Sequence, residues 1–108
     1  MNERLCGLLG LARRAGRLAA GFDAVKELIT AKKAQLVLMA ADLSPKTEKE
    51  LRFAAEDAVP LLSIGLTKDE IGHAGGWNKP VGVIATEDKG FAAAMRQAAA
   101  QRNEEDAI

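Results

Sequence analysis

The feature that most limits how this chain can fold is an unbroken run of five apolar residues at positions 36–40. A strand that is exposed on one face alternates apolar and polar side chains, whereas a continuous apolar run of strand length is typical of a strand covered on both faces. Two further segments that are mostly apolar and as long as a strand occupy residues 61–64 and 81–85. A fold built around these strands needs helices on both faces of its sheet.

Segments with helical periodicity lie between and around these strands. The first has Asn2 as its N-cap and Gly16 as its stop, the third begins at Ser44-Pro45, and a capping box from Thr67 to Glu70 opens the fourth. Helices are predicted over residues 2–15, 22–32, 44–59, 67–74 and 86–102, with an additional short strand over residues 18–20.

The alternation of strands and helices predicts an α/β protein. The expected architecture is a three-layer α/β/α sandwich around a central mixed sheet of about four strands, largely parallel in its core. The 108 residues suffice for one core and one domain, which we place over residues 1–102. Residues 103–108 are predicted to form an acidic flexible tail.

Charge and composition exclude several classes of protein. The formal net charge is zero, so we do not expect a protein that coats nucleic acid indiscriminately. The charge is nevertheless uneven, because residues 1–33 carry seven Lys or Arg and three Asp or Glu. The single cysteine allows no internal disulfide, and no apolar run approaches the roughly 20 residues of a membrane span. We expect a cytoplasmic monomer that does not associate with membranes.

The sequence contains no recognisable catalytic or cofactor-binding constellation. His73 is the only histidine, and Cys6 lies among leucines, as a core thiol does. There is no phosphate-binding P-loop, nucleophile elbow or paired-histidine metal motif. We therefore predict a protein that is not an enzyme and that uses no metal ion or cofactor.

The first candidate site is the segment 16–33, where a glycine turn leads directly into a helix. Gly21 precedes the amphipathic run that begins at Phe22, and such a junction presents free backbone N–H groups. Cations beside a helix N-terminus favour a polyanion as ligand. The alternative is that Gly21 serves only the backbone angles of the turn. The surrounding cations are Arg13, Arg14, Arg17, Lys26, Lys32 and Lys33.

The second candidate site is the loop at residues 71–80. It combines an aromatic residue, an amide, a cation and a proline in Trp77, Asn78, Lys79 and Pro80. A stacking surface beside hydrogen-bonding and phosphate-pairing groups suits the splayed bases of RNA. The alternative is that Trp77 fills the edge of the sheet.

At these residues the chain resembles the kink-turn RNA-binding ribosomal-protein family, whose members occur in archaeal large subunits, small nucleolar particles and the spliceosome. The likeness is greatest to small bacterial paralogues of the YlxQ type. It covers roughly residues 3–100 and is carried by residues 36–42 with Pro45, and by residues 68–80. The second motif is similar to the family's Leu-Gly-x-Ala-x-Gly segment, followed by a loop that ends in Arg-Pro or Lys-Pro.

The resemblance implies an α/β/α domain that binds a sharply bent RNA at tandem sheared G·A pairs. A Gly-x-Asn-Glu-x-x-Lys segment of the family enters the groove, and the loop before the last strand packs on a flipped-out nucleotide. The first segment corresponds to residues 21–27, where Asn is replaced by Asp23, Glu by Ala24 and Lys by Glu27. Because Asp23 only accepts hydrogen bonds and Ala24 has no polar side chain, the resemblance implies relaxed specificity.

Two functions follow from the sequence. The first is an RNA-binding protein that associates with the ribosome or binds a kink-turn-type structured RNA, such as rRNA. Its predicted RNA-binding residues are Arg17, Gly21, Phe22, Asp23, Lys26, Lys32, Lys33, Asp42, Trp77, Asn78, Lys79 and Pro80. The alternative is a protein-interaction module on the same fold that has lost kink-turn recognition and uses Trp77 as an interface anchor.

Overall fold

The computed structural model describes the backbone of residues 2–106 and the side chains of residues 2–100. None of the helices in that range is long and apolar enough to cross a membrane. In chain order the elements are α1 (Glu3–Arg14), β1 (Ala19–Ala20), α2 (Phe22–Thr30), β2 (Leu36–Met39), α3 (Pro45–Ala55), β3 (Leu61–Ser63), α4 (Lys68–Gly75), β4 (Val83–Thr86) and α5 (Lys89–Asp106).

The four strands form one sheet in the order β1-β4-β2-β3. All four residues of β2 are buried, as the continuous apolar run predicts. Successive side chains of a strand point to opposite faces, so Leu36 and Leu38 pack into one core cluster while Val37 and Met39 pack into the other. The sheet therefore separates two apolar layers.

Helices cover both of these layers, which confirms the predicted three-layer sandwich. One cluster joins the sheet to α1, α4 and α5 through residues such as Leu9, Ile71 and Met95. The other cluster joins the sheet to α2 and α3 through residues such as Ile29 and Leu51. Each face of the sheet thus has its own set of helices.

The sheet is mixed, as predicted, but the expectation of a largely parallel core was wrong. Among the strand pairs of residues 2–106, β2 and β3 alone are parallel, and β4 is antiparallel to both β1 and β2. The reason is that residues 76–82 return alongside α4 instead of crossing the sheet. The Val81 N–H donates to the Lys68 carbonyl at the start of α4, at 3.0 Å. A chain that leaves and re-enters a sheet at the same end pairs antiparallel.

Three of the predicted helix starts are confirmed by side-chain hydrogen bonds. Asn2 and Ser44 each accept a hydrogen bond from the first turn of the helix that follows, at 3.0 and 3.2 Å. Thr67 and Glu70 form the capping box, in which each side chain accepts a backbone N–H of the other residue. These local rules position α1, α3 and α4 as expected.

The boundaries of three helices differ from the prediction. α3 ends at Ala55, before the predicted end at residue 59, because Glu56 has a left-handed backbone with φ 48°. α2 ends at Thr30, before the predicted end at Lys32, because Lys32 has a left-handed backbone with φ 61°. α5 begins at Lys89 rather than at residue 86, because Asp88 acts as its N-cap and accepts the Phe91 N–H at 2.9 Å. α5 continues past the predicted end at residue 102. The flexibility of the tail at residues 103–108 stays a prediction, and residues 107 and 108 lie outside the described residues.

Candidate nucleic-acid interface

The strand register determines which loops lie together. Ala20 pairs with Ile84, and Met39 pairs with both Val83 and Ser63. The carboxyl ends of β1, β2 and β3 therefore share one end of the sheet with the amino end of β4. We name this the Gly21 end, formed by residues 20–23, 40–43, 64–68 and 78–82. The opposite end is the Arg17 end, formed by residues 15–18, 31–35, 56–60 and 86–89.

Gly21 forms the junction between β1 and α2 and is the N-cap of that helix. Its backbone has φ 95° and ψ 158°, a region that L side chains rarely adopt, so a glycine is required for this turn. The Gly21 N–H donates to the Val83 carbonyl at 2.9 Å, so this group is not available to a ligand, contrary to the sequence-based expectation. A glycine cap offers no side-chain acceptor, which leaves the first-turn N–H groups from Phe22 onward directed at the surface.

The first turn of α2 also carries an aromatic ring, a carboxylate and a cation. Phe22 is half-buried against the core, and the Lys26 ammonium lies 5.6 Å from the centre of its ring. Asp23 is exposed beside them in the first turn. Asp23 and Lys26 line a shallow depression together with Glu27, so opposite charges meet at this surface. The predicted residues 21–23 and 26 are thus adjacent at the Gly21 end.

Asp42 links the end of β2 to the start of α4. Its Oδ1 accepts the Lys68 N–H at 2.8 Å, and the Ala41 N–H donates to the Leu66 carbonyl at the same distance. A carboxylate at a helix N-terminus is favoured by the helix dipole. One oxygen of Asp42 is therefore engaged in holding α4, although the residue itself is exposed.

The return loop at residues 76–82 lies against α4 because that helix has glycines on the side that meets the loop. A Cβ on Gly72 would overlap the Lys79 carbonyl oxygen, so an alanine at this position would displace the loop backbone. Asn78 has a left-handed backbone with φ 58°, and the side chains of Asn78, Lys79 and Pro80 are exposed. They border a shallow groove with His73 of α4. The loop thus presents an amide, a cation and a proline on a fixed backbone.

Trp77 does not lie beside these three residues at the Gly21 end. It follows the last turn of α4, where its ring occupies the place of a side chain on Gly75 and packs against the core cluster of α1, α4 and α5. The Arg13 guanidinium of α1 lies 5.1 Å from the centre of the ring and donates a hydrogen bond to the Gly76 carbonyl at 2.9 Å. Trp77 therefore joins α4 to α1, and it packs on a helix end rather than at the edge of the sheet.

Three of the predicted RNA-binding cations lie at the Arg17 end. Arg17 precedes β1, and its Nε is 3.8 Å from the carboxylate of Asp88, which follows β4. Lys32 and Lys33 follow α2 and lead to Gln35, whose N–H donates to the carbonyl of the last residue of β4 at 2.8 Å. The structure therefore separates Arg17, Lys32 and Lys33 from Gly21 by the length of the strands.

The family assignment rests on comparison with known proteins. The sequence model of the "Ribosomal protein L7Ae/L30e/S12e/Gadd45 family" matches residues 3–96. The chain belongs to this family. Among solved structures it is similar to a protein of unknown function from Bacillus halodurans, with a TM-score of 0.82 and 26% identity over 90% of this chain and 97% of that one. Comparison with curated proteins finds no match.

The same fold is found in a Giardia lamblia 15.5kD RNA binding protein, with a TM-score of 0.70. This protein is 24% identical over 91% of the present chain and 83% of its own. The L7Ae/L30e/S12e/Gadd45 assignment confirms the resemblance found in the sequence. The two motifs that carried it are in contact, because Asp42 from the first binds the N–H of Lys68 from the second.

Sequence reasoning missed the structural roles of two residues of this L7Ae/L30e/S12e/Gadd45 domain. Lys68 is half-buried at the Gly21 end, and its stem lies against Gly82, where an added Cβ would be 3.6 Å from Lys68 Cδ. The sequence places Arg13 among the cations around the first candidate site, yet the structure holds it on Trp77 and two carbonyl groups. The role of Arg13 in joining the two helices depends on the packing of α1 against the end of α4, and no local sequence motif indicates it.

Cys6 behaves as the sequence predicts for a core thiol. It is half-buried in the cluster of α1, α4 and α5. Burial raises the pKa of its thiol, with a smaller contribution from the carboxylate of Glu70. The thiol is therefore protonated at neutral pH and is a poor nucleophile.

Proposed function

We propose that this chain is an RNA-binding protein whose Gly21 end contacts a structured, kink-turn-type RNA. The observation that carries the proposal is the convergence of two motifs distant in sequence. The start of α2 and the loop that carries the exposed residues 78–80 lie at the same end of the sheet, because the Gly21 N–H donates to the carbonyl of Val83, the first residue of β4. Support also comes from the family assignment and from the Giardia neighbour, which is described as an RNA binding protein.

Each group at the Gly21 end has a distinct role in this proposal. The first-turn N–H groups of α2 donate hydrogen bonds to an anionic or polar RNA group, as helix N-termini do to phosphates. Lys26 and Lys79 neutralise phosphates and so position the RNA without reading its sequence. Asp23 accepts hydrogen bonds from base amino groups, and the Asn78 amide both donates and accepts. Phe22 provides an apolar surface, and Pro80 covers an extruded nucleotide.

The residues at 23, 24 and 27 reduce the specificity that we propose. Asp23 brings a negative charge close to phosphates, Ala24 has no polar side chain, and Glu27 adds a second carboxylate to the same depression. Each base contact that is lost lowers discrimination by about 1–3 kcal/mol. We therefore propose binding to bent RNA with a smaller preference for the G·A pairs than the family motif would provide.

The decisive experiment is a titration of two RNAs that differ only in the kink. One contains an intact kink-turn, and in the other its sheared G·A pairs are replaced by Watson–Crick pairs. We expect tighter binding to the first, and the variant Asp23→Asn should widen the difference because the amide regains a donor. The matched control is Asp57→Asn, an exposed residue at the Arg17 end. Equal binding of both RNAs would refute kink-turn recognition, and the absence of salt-dependent binding to any structured RNA would refute RNA binding.

We further propose the ribosome as the first assembly to test as partner, with the protein acting as a cytoplasmic monomer. Crosslinking of RNA to the protein in cells, with sequencing of the RNA and mapping of the peptides, checks this directly. Crosslinks from residues 21–26 and 78–80 to rRNA are expected. Crosslinks restricted to messenger or transfer RNA would contradict the ribosomal assignment.

The alternative function, a protein-interaction module, has one observation of its own. Phe53 on α3 is 81% exposed, and large exposed apolar side chains serve as interface anchors. Trp77, the anchor expected from the sequence, packs instead on α4 and Arg13. Affinity capture from an RNase-treated lysate separates the two functions. A partner that survives RNase and is lost in Phe53→Ser supports the alternative, whereas loss of all partners after RNase excludes it.

A further inference from the structure

The ends of α1 and α2 are built by the same hydrogen-bond motif, although their residues differ. After α1, the N–H of Gly16 donates to the Arg13 carbonyl and the N–H of Arg17 to the Ala12 carbonyl. After α2, Lys32 and Lys33 donate in the same way, to Ile29 and Leu28, at 3.0 Å each. This is the Schellman motif, in which the first residue beyond the cap has a left-handed backbone.

Lysine is an unusual choice for that left-handed position. Gly16 has φ 72° in α1, and Lys32 occupies the equivalent position in α2 with φ 61°. Glycine adopts this conformation without strain, whereas an L side chain there is disfavoured by about 1 kcal/mol. A helix that ends in lysine at this point retains a cation at the expense of local stability. A favourable interaction with the helix dipole offsets only part of that loss.

Both lysines are exposed and extend a cationic row along the Arg17 end. Among the described side chains, neither lysine takes part in an ion pair. In the strand order β1-β4-β2, Arg17 precedes β1, while Lys33 precedes β2. The two are thus separated by two interstrand spacings, about 10 Å. Arg17 is 56% exposed, and its contact with Asp88 at 3.8 Å leaves the guanidinium accessible.

The carboxylates at this end offset the charge of the row only in part. Asp88 uses Oδ1 to cap α5, and its Oδ2 faces Arg17. Glu87 is exposed after β4 and is accompanied by the cation Lys89. The other acidic residues of this end, at positions 56 and 57, precede β3, on the far side of β2 from Arg17. The segments next to β1, β4 and β2 at this end thus carry four cations and two carboxylates, a net charge of +2.

We propose that Arg17, Lys32 and Lys33 form a second RNA-binding surface, which contacts backbone phosphates at the end of the protein opposite the kink-turn site. A row of about 10 Å is long enough to contact more than one phosphate of a strand. Exposed cations that are free to reorient bind phosphates without reading the sequence. Because the two surfaces lie at opposite ends of the sheet, they bind separate segments of a long RNA or two RNAs at once.

The inference rests on the proposed function for its choice of polyanion, and its test uses two RNA probes. One is a plain RNA duplex, and the other is a hairpin with a kink-turn and short stems. Lys32→Gly/Lys33→Ala removes two cations and relieves the strained backbone, so weaker binding is not explained by unfolding. The matched control, Lys49→Ala/Arg96→Ala, removes two exposed cations from α3 and α5.

We expect the Lys32/Lys33 variant to bind the duplex several-fold more weakly, with the slope of log affinity against log salt reduced by about 2. Its affinity for the short kink-turn hairpin should stay at the wild-type value. Duplex binding equal to that of the control variant would overturn the inference. So would an acidic peptide that binds these lysines more tightly than the duplex does.

A third variant separates this inference from the proposed function. Lys26→Ala/Lys79→Ala lies at the Gly21 end and should weaken binding of the kink-turn hairpin more than it weakens binding of the plain duplex. The wild type could bind both RNAs equally and still depend on Lys32 and Lys33 for duplex binding. That result would support the second surface and refute kink-turn recognition. If Lys26→Ala/Lys79→Ala weakens duplex binding as much as Lys32→Gly/Lys33→Ala does, the surface is not distinct and the inference is overturned.

Discussion

The two ends of the sheet are built in different ways. Contacts of backbone groups fix the Gly21 end. The Gly21 N–H donates to the Val83 carbonyl, and the Lys68 N–H donates to the Asp42 carboxylate. The carbonyl of residue 79 lies close to Gly72. The Arg17 end carries exposed cations whose side chains have few fixed contacts. Recognition of a shaped RNA needs preorganised groups, whereas attraction to phosphates needs only charge. In our two proposals, specificity belongs to the Gly21 end and non-specific affinity to the Arg17 end.

The largest expected effect on stability and binding comes from Gly72→Ala, which disturbs the backbone contacts of the Gly21 end. The new methyl group would overlap the Lys79 carbonyl oxygen, and backbone cannot move away as a flexible side chain can. We expect a loss of about 3 kcal/mol in the free energy of unfolding, measured by urea denaturation. Displacement of residues 78–80 should also weaken binding of the kink-turn hairpin.

Gly7→Ala provides the control for that substitution. Gly7 lies on the exposed side of α1, and a Cβ there would meet nothing within 4 Å. Alanine should therefore raise the free energy of unfolding by about 0.5–1 kcal/mol through its higher helix propensity. Equal stabilities of Gly72→Ala and wild type would show that the loop is not held by α4.

Trp77→Ala tests whether this side chain belongs to the fold or to the RNA site. Loss of a half-buried indole that packs on Gly75 should lower the free energy of unfolding by about 2 kcal/mol. When Trp77→Ala is introduced into the variant Arg13→Ala, the loss in unfolding free energy should be smaller by about 0.5–1 kcal/mol, because the cation–π contact at 5.1 Å is already absent. Urea denaturation of the four proteins of this cycle measures both values.

The fluorescence of Trp77, the only tryptophan, gives a direct control. A tryptophan that stacks on a base is quenched when RNA binds, whereas one that packs between two helices is not. We expect unchanged emission at saturating kink-turn RNA. Strong quenching would restore Trp77 to the RNA site, as the sequence suggested.

The layers of the fold were predictable from the sequence because each depends on local periodicity. The buried run that forms β2 implied helices on both faces, and the caps at Asn2, Ser44 and Thr67 marked helix starts. The direction of β4 was not predictable, because it depends on a tertiary contact between Gly72 and residue 79. Strand length and composition contain no information about that contact.

The candidate site was predictable in its parts but not in its arrangement. The segments at Gly21 and at residues 78–80 were identified as candidates, and the strand register places both at one end of the sheet. Arg17 and Lys33 were assigned to the same site because they are close to Gly21 in sequence, yet a strand and a helix carry them to the opposite end. Proximity in sequence therefore does not predict proximity in the fold when a strand or a helix separates the residues.

A smaller effect is expected from Asp42→Ala, which removes the link between β2 and α4. The lost acceptor leaves the Lys68 N–H without its partner at 2.8 Å, and the helix N-terminus loses a favourable negative charge. Because both groups are near the surface, water replaces part of the interaction, and we expect a loss of about 1 kcal/mol in unfolding free energy. Asp69→Ala, in the first turn of the same helix but exposed and not bonded to β2, should change stability less. Equal losses for the two variants would assign the effect to charge rather than to the hydrogen bond.

The smallest and opposite change in stability is expected from Lys32→Gly alone. Glycine relaxes the left-handed backbone at φ 61°, so the free energy of unfolding should rise by about 0.5–1 kcal/mol, measured by urea denaturation. Lys33→Gly is the control, because residue 33 does not have a left-handed backbone and glycine there gives no such gain. If Lys32→Gly is more stable and yet binds plain duplex more weakly, the lysine lowers stability and raises affinity at the same position. A stabilised variant with unchanged duplex binding would instead show that the strain at Lys32 has no role in RNA binding. It would contradict an RNA-binding surface at the Arg17 end.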